Sequence, residues 1–64
     1  MSNVTAEYLE GIRTGRRTFK AEGAENAAAH LDNLNRTIKG FAASSPVGQL
    51  LRGERDFWRA QTKK

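Results

Sequence analysis

Apolar residues recur along this chain at helical spacing, and nowhere do they alternate with period two. Tyr8, Ile12, Gly15 and Phe19 form one stripe with Leu9 at its edge, which predicts a helix over about residues 6–22. Ala24, Ala27, Leu31, Leu34, Ile38 and Phe41 are spaced three, four, three, four and three. That seam predicts a second helix over about 24–39, with coiled-coil-like spacing but too short for a free coiled coil. Val47, Leu50, Leu51, Phe57 and Trp58 cluster on one side of a third predicted helix, over about 46–61. The expectation is an all-α, three-helix domain spanning 1–64.

Local stop and start signals support these limits. Thr5 is a predicted N-cap, because its hydroxyl can accept an amide of the first turn. Val4 and Leu9 occupy the two positions of a hydrophobic staple around it. Glu7 lies in the first turn, where the helix dipole favours a carboxylate. Gly23 fits a left-handed stop after the first helix, and Gly40 a stop after the second. Ser45 followed by Pro46 reads as N-cap and first helical residue of the third. The stretch 41–45 has no legible conformation.

Four glycines interrupt these patterns: Gly11 and Gly15 in the first helix, Gly48 and Gly53 in the third. Each costs roughly 1 kcal/mol against alanine. Gly11 and Gly15 are four apart beside the apolar stripe, so close helix contact and plain tolerance are both open readings.

Length and composition then bound the function. A 64-residue chain without cysteine has no disulfide and no thiolate metal site to supplement a small core. The chain is therefore expected to be completed by self-association or by a partner. No run approaches the roughly 20 apolar residues that span a bilayer. Met1 to Leu9 carries neither a basic nor an apolar signal region, so the expected location is cytoplasmic. Asn3-Val4-Thr5 and Asn35-Arg36-Thr37 match the glycosylation sequon by chance in such a chain.

Catalysis and cofactors are not expected. His30 is the one histidine, at the rim of the second helix's seam, and no set of residues has metal-ligand spacing. Gly11-Ile12-Arg13-Thr14-Gly15-Arg16-Arg17-Thr18 superficially resembles a phosphate loop. It lacks the terminal Gly-Lys pair and lies within a helix. No small-molecule substrate and no cofactor is implied.

Charge changes the picture more. The formal net charge is +4. Four cations face three acids in residues 1–22, two face two in 23–44, and five face two in 45–64. The excess therefore lies toward the two ends. Arg13, Arg16, Arg17 and Lys20 form one helix face, with Arg13–Arg17 and Arg16–Lys20 as like-charge pairs four apart. Each pair destabilises an isolated helix by a few tenths of a kcal/mol, roughly. Either acids of the other helices, such as Glu22, Glu25 or Asp32, relieve this face, or an anionic partner does. Arg52, Arg55 and Arg59 make a second stripe, partly offset by Asp56, which can pair with Arg52 or Arg59. Lys63 extends it, and Lys63 and Lys64 suit the C-terminal dipole. Arginine gives bidentate recognition of carboxylate or phosphate.

Three further residues complete the candidate partner surface. Glu54 falls among Leu50, Leu51, Phe57 and Trp58, where a carboxylate is costly unless paired. It either meets an arginine across an interface, Arg16 being one candidate, or lies at a solvated edge. Phe57 and Trp58 sit between arginines, as base-stacking or hot-spot residues do. Core or inter-subunit contact is the plainer reading.

Glu7-Tyr8-Leu9-Glu10-Gly11-Ile12-Arg13-Thr14-Gly15-Arg16-Arg17 and Gly53-Glu54-Arg55-Asp56-Phe57-Trp58-Arg59 resemble segments of small phage or prophage accessory proteins. The resemblance covers roughly a third of the chain. It implies action by binding a phage or host factor without catalysis, and it assigns no residue a role. The function expected is a non-catalytic protein-interaction module, docking on a macromolecule or self-assembling. The alternative is a nucleic-acid binder using the two arginine faces. The separation of Gly40 from Pro46 does not fit the three- or four-residue turn of a helix-turn-helix.

Overall fold

A computed structural model describes residues 5–62 of the chain. Three α-helices follow one another: α1 Ala6–Glu22, α2 Ala27–Ile38 and α3 Pro46–Thr62. The described residues contain no strand. The expected all-α, three-helix domain is thus observed. The proposed Val4 staple and the dipole roles of Lys63 and Lys64 lie outside the described residues.

The caps of α1 and α3 form as the sequence expects. The Tyr8 amide donates to the Thr5 hydroxyl oxygen at 3.1 Å. The Gly48 amide donates to Ser45 Oγ at 3.0 Å. The Thr5 hydroxyl also donates to Gln49 Oε1 at 3.3 Å, tying the start of α1 to the start of α3. Gly23 ends α1 at φ 80°, with its amide on the Phe19 carbonyl at 2.7 Å. A side chain there would be strained, so glycine fits the stop.

The limits of α2 differ from expectation. After Gly23 the chain makes a turn, closed by the Ala27 amide on the Ala24 carbonyl at 3.1 Å. The helix therefore starts three residues late, and Ala24 is exposed. At the other end, Gly40 bonds to Thr37 and Phe41 to Ile38, each at 3.0 Å. These tight i→i−3 bonds end α2 without a left-handed residue at Gly40. Phe41 is left 43% exposed. The inward seam shrinks to Ala27, Leu31, Leu34 and Ile38. The 41–45 stretch folds into a turn, with the Ser45 amide and hydroxyl both donating to the Ala42 carbonyl.

The hub is α3. Both α1 and α2 lie against it and barely touch each other. Thr5 meets Gln49, Tyr8 meets Gly53, and Gly15 meets Phe57, so numbering rises together and α1 runs parallel to α3. Trp58 toward the end of α3 stacks on His30 near the start of α2, while Ala42 beyond the end of α2 meets Gly48 near the start of α3. So α2 runs the other way.

Glycines set the closeness of the α1–α3 contact. A Cβ at Gly11 would overlap the Leu50 carbonyl oxygen and stand 3.0 Å from Gly53 Cα. A Cβ at Gly53 would overlap the Tyr8 carbonyl oxygen and stand 3.1 Å from Gly11 Cα. The two backbones cross at this pair. Gly15 lies under the Phe57 ring, 2.9 Å from where its Cβ would stand. Close contact, not tolerance, therefore accounts for Gly11 and Gly15.

The core sits beyond that crossing. Ala27, Leu34, Ile38 and Trp58 are the buried apolar side chains. Phe19, Leu31, Leu51 and Phe57 lie against Ala27, Leu34 and Trp58. Phe19 meets Phe57 and Trp58 edge-to-face at 5.8 and 5.9 Å. Such pairs add roughly 0.5–1.5 kcal/mol beyond their buried area.

Candidate docking surface

Because Gly11 and Gly15 turn one side of α1 onto α3, the residues opposite them face solvent. Leu9, Arg13, Arg16, Arg17 and Lys20 are all exposed, Leu9 by 51%. Leu9, Arg13, Arg16 and Lys20 follow one another at four, three and four residues, a narrow line along the helix. Arg13 Nη1 lies 3.9 Å from Glu10 Oε1, and both side chains are well exposed. An ion pair this open is worth little. Among the described residues no acid lies within ion-pair distance of Arg16, Arg17 or Lys20. The acids that could have relieved this face do not pair with it. Glu22 bonds to His30 Nε2 at 2.8 Å. Asp32 pairs with Arg36 at 2.7 Å. Glu25 is exposed in the turn before α2.

The second basic stripe is built differently. Arg55 folds back on its neighbour Asp56, with Nη2 and Nε at 2.9 and 3.0 Å from Oδ1. The Tyr8 hydroxyl donates to the other oxygen, Oδ2. This network joins α1 to α3 and leaves Arg55 only 19% exposed. Asp56 thus meets Arg55 and Tyr8 rather than Arg52 or Arg59, the partners its helical spacing suggested. Arg52 is half-buried, and its Nε is shielded from water without an acceptor among the described residues. Arg59 is exposed. The stripe is therefore divided: Arg55 holds the fold, Arg52 is partly enclosed, and Arg59 faces out.

Trp58 is 1% exposed. It cannot stack on a base or a partner while the domain is folded. Phe57 is half-buried over Gly15. Both aromatics belong to the core. His30, read as a rim residue, is 31% exposed at its side chain but has two specific contacts. Its ring stacks on Trp58 at 4.5 Å and 16°, and it meets Glu22 of α1. No local sequence signal announces these contacts, which join residues from three helices.

Glu54 is half-buried. It forms no ion pair among the described residues, and no Arg16–Glu54 contact exists within the chain. Burial pushes its carboxyl above its ordinary value, with the charge of His30 opposing. Asp56 shows the converse balance. Burial pushes it up, but the hydrogen bonds from Tyr8 and Arg55 and the charges of Arg55 and Arg59 together hold it below its ordinary value.

These shifts have opposite signs in pH dependence. The raised Glu54 contributes stability that is fully present below its unfolded value of about 4.3. That contribution is lost as pH rises through the folded value. The lowered Asp56 contributes stability present above its unfolded value of about 3.9 and lost as pH falls through its lower folded value. Denaturant titrations at concentrations where the chain is monomeric should therefore find Glu54→Gln more stable than wild type at neutral pH and nearly equal to it below about pH 4. Asp56→Asn should be less stable at neutral pH, with the gap closing in acid. Identical curves for Glu54→Gln and wild type at neutral pH would remove the uncompensated-carboxylate account.

Among the described residues no helix is long and apolar enough to cross a membrane. No protein-family model, curated protein or solved structure matches this chain.

Proposed function

We propose that this chain is a non-catalytic interaction module that docks on an acidic protein surface through the outer face of α1. An accessory factor of the phage type, as the sequence resemblance implies, would act in this way. One observation carries the reading: Leu9, Arg13, Arg16, Arg17 and Lys20 share an exposed face, and among the described residues three of its four cations meet no acid. Holding like charges in line costs helix stability, and an acidic partner would offset that cost. Arginine suits carboxylate recognition at an interface. The exposed Leu9 in the same line favours a protein over a nucleic acid, which has no apolar patch to receive it. The burial of Trp58 also removes the tryptophan that base stacking would use.

The test is calorimetry between the purified chain and an acidic protein that it retains from nuclease-treated lysate. Leu9→Ala and Arg16→Glu are each expected to weaken binding by about tenfold or more. Arg59→Glu, on another helix, should change it little. A different pattern would move the reading to nucleic acid. In that case a nonspecific duplex would bind with steep salt dependence, sensitive to the cations but indifferent to Leu9.

A further inference from the structure

Glu54 is half-buried and forms no ion pair among the described residues, which is costly for a carboxylate. Its position is fixed from two sides. Its backbone nitrogen stands 3.0 Å from where a Cβ at Gly11 of α1 would be. On its other side, Trp58, one turn further along the same side of α3, stacks on His30 of α2. It therefore lies on the surface of α3 between α1 and α2, which barely touch each other. Val47, Leu50 and Glu54 follow one another there at three and four residues. Val47 is 48% exposed, and Leu50 is half-buried. This is a part-open apolar stripe with one unpaired carboxylate.

The outer face of α1 carries the complement. Leu9 and Arg16 are seven residues apart, as Val47 and Glu54 are. Each pair spans two helical turns, about 10 Å. Within one chain the two pairs cannot meet, because Gly11 and Gly15 hold the opposite side of α1 on α3. Between chains they come into register. We propose that a second copy of this chain docks its α1 on the α3 stripe, placing Arg16 against Glu54 and Leu9 against Val47. This rests on the docking role of the α1 face and names a partner for it.

The contact suits both sides. It supplies a cation to a half-buried carboxylate and an acid to an arginine that has none among the described residues. It covers apolar side chains in a domain whose fully buried apolar set is Ala27, Leu34, Ile38 and Trp58. Small domains without disulfides or metals commonly gain the missing burial from another chain. Each copy offers both patches, so a two-fold axis would give a dimer with two Arg16–Glu54 pairs. Without closure the same contact would build longer chains.

Sedimentation equilibrium over a dilution series tests this. The wild type should self-associate. Arg16→Glu and Glu54→Arg should each weaken association about tenfold or more, and the two together should restore it. Glu54→Gln serves if arginine disrupts the fold by circular dichroism, and it too should weaken association. A monomer at every attainable concentration overturns the proposal. So does association indifferent to both single changes. If the chain is monomeric but Arg16→Glu still abolishes binding of an acidic partner, the self-docking inference fails and the docking function stands. If Arg16→Glu changes neither, both fail.

Discussion

Gly53→Ala is expected to destabilise the domain by about 3 kcal/mol, and Gly11→Ala similarly. On helix propensity alone the expectation is the reverse, since alanine stabilises an exposed helix interior by roughly 1 kcal/mol over glycine. Sterics decide the sign. The added methyl at 53 would overlap the Tyr8 carbonyl oxygen, and the one at 11 the Leu50 carbonyl oxygen. Neither obstacle is the end of a flexible side chain. Each is backbone inside a helix, so relief requires α1 to move off α3. That movement would also strain the Tyr8–Asp56 bond between the same helices. A domain of this size has a total stability of only about 3–10 kcal/mol, so either change approaches the unfolding threshold. Gly40→Ala is the control. A Cβ there would meet only the Thr37 carbonyl oxygen, at an ordinary 3.5 Å, and its stability should match wild type or exceed it slightly. Urea unfolding followed by circular dichroism reads all three. A stable Gly53→Ala would mean that α1 and α3 do not cross at these glycines.

Trp58→Ala should cost about 3–5 kcal/mol, enough to leave most of the chain unfolded. Trp58 belongs to α3 but touches Phe19 of α1 and His30 of α2. It also meets Phe57 edge-to-face at 5.6 Å. Since α1 and α2 barely meet each other, removal of this ring loosens both from the hub at once. Trp58→Phe keeps an aromatic edge for Phe19 and should cost much less. Circular dichroism is the readout, because the substitution removes the only tryptophan. A folded Trp58→Ala with an unchanged melting point would contradict a core organised on α3.

What the sequence discloses here is what acts within a few residues. Thr5, Ser45 and Gly23 were legible because a cap or a stop depends on its own turn. The start of α2 was not. Ala24 continues the apolar spacing, but the positive φ at Gly23 sends the chain into a turn before the helix resumes. Gly53 reads in sequence only as a costly interruption of the third helix, because its reason is Gly11, forty-two positions earlier. Asp56 invited a partner at helical spacing, and the Tyr8 hydroxyl from another helix changed that choice. Glu54 is half-buried and unpaired among the described residues, a state that its place on the helical wheel does not disclose. The basic face of α1 was fully legible as a stripe. Its lack of acidic neighbours depended on where Glu22 and Asp32 fold, and that only the tertiary arrangement fixes.

The central claim is that the outer face of α1 binds while its inner face holds the fold. Arg16→Glu with Arg17→Glu separates the two most directly. The double variant removes both like-charge pairs along α1, so its melting point should equal or slightly exceed that of the wild type. Partner binding should be lost in the same preparation. Binding that survives in a normally folded double variant would contradict the claim.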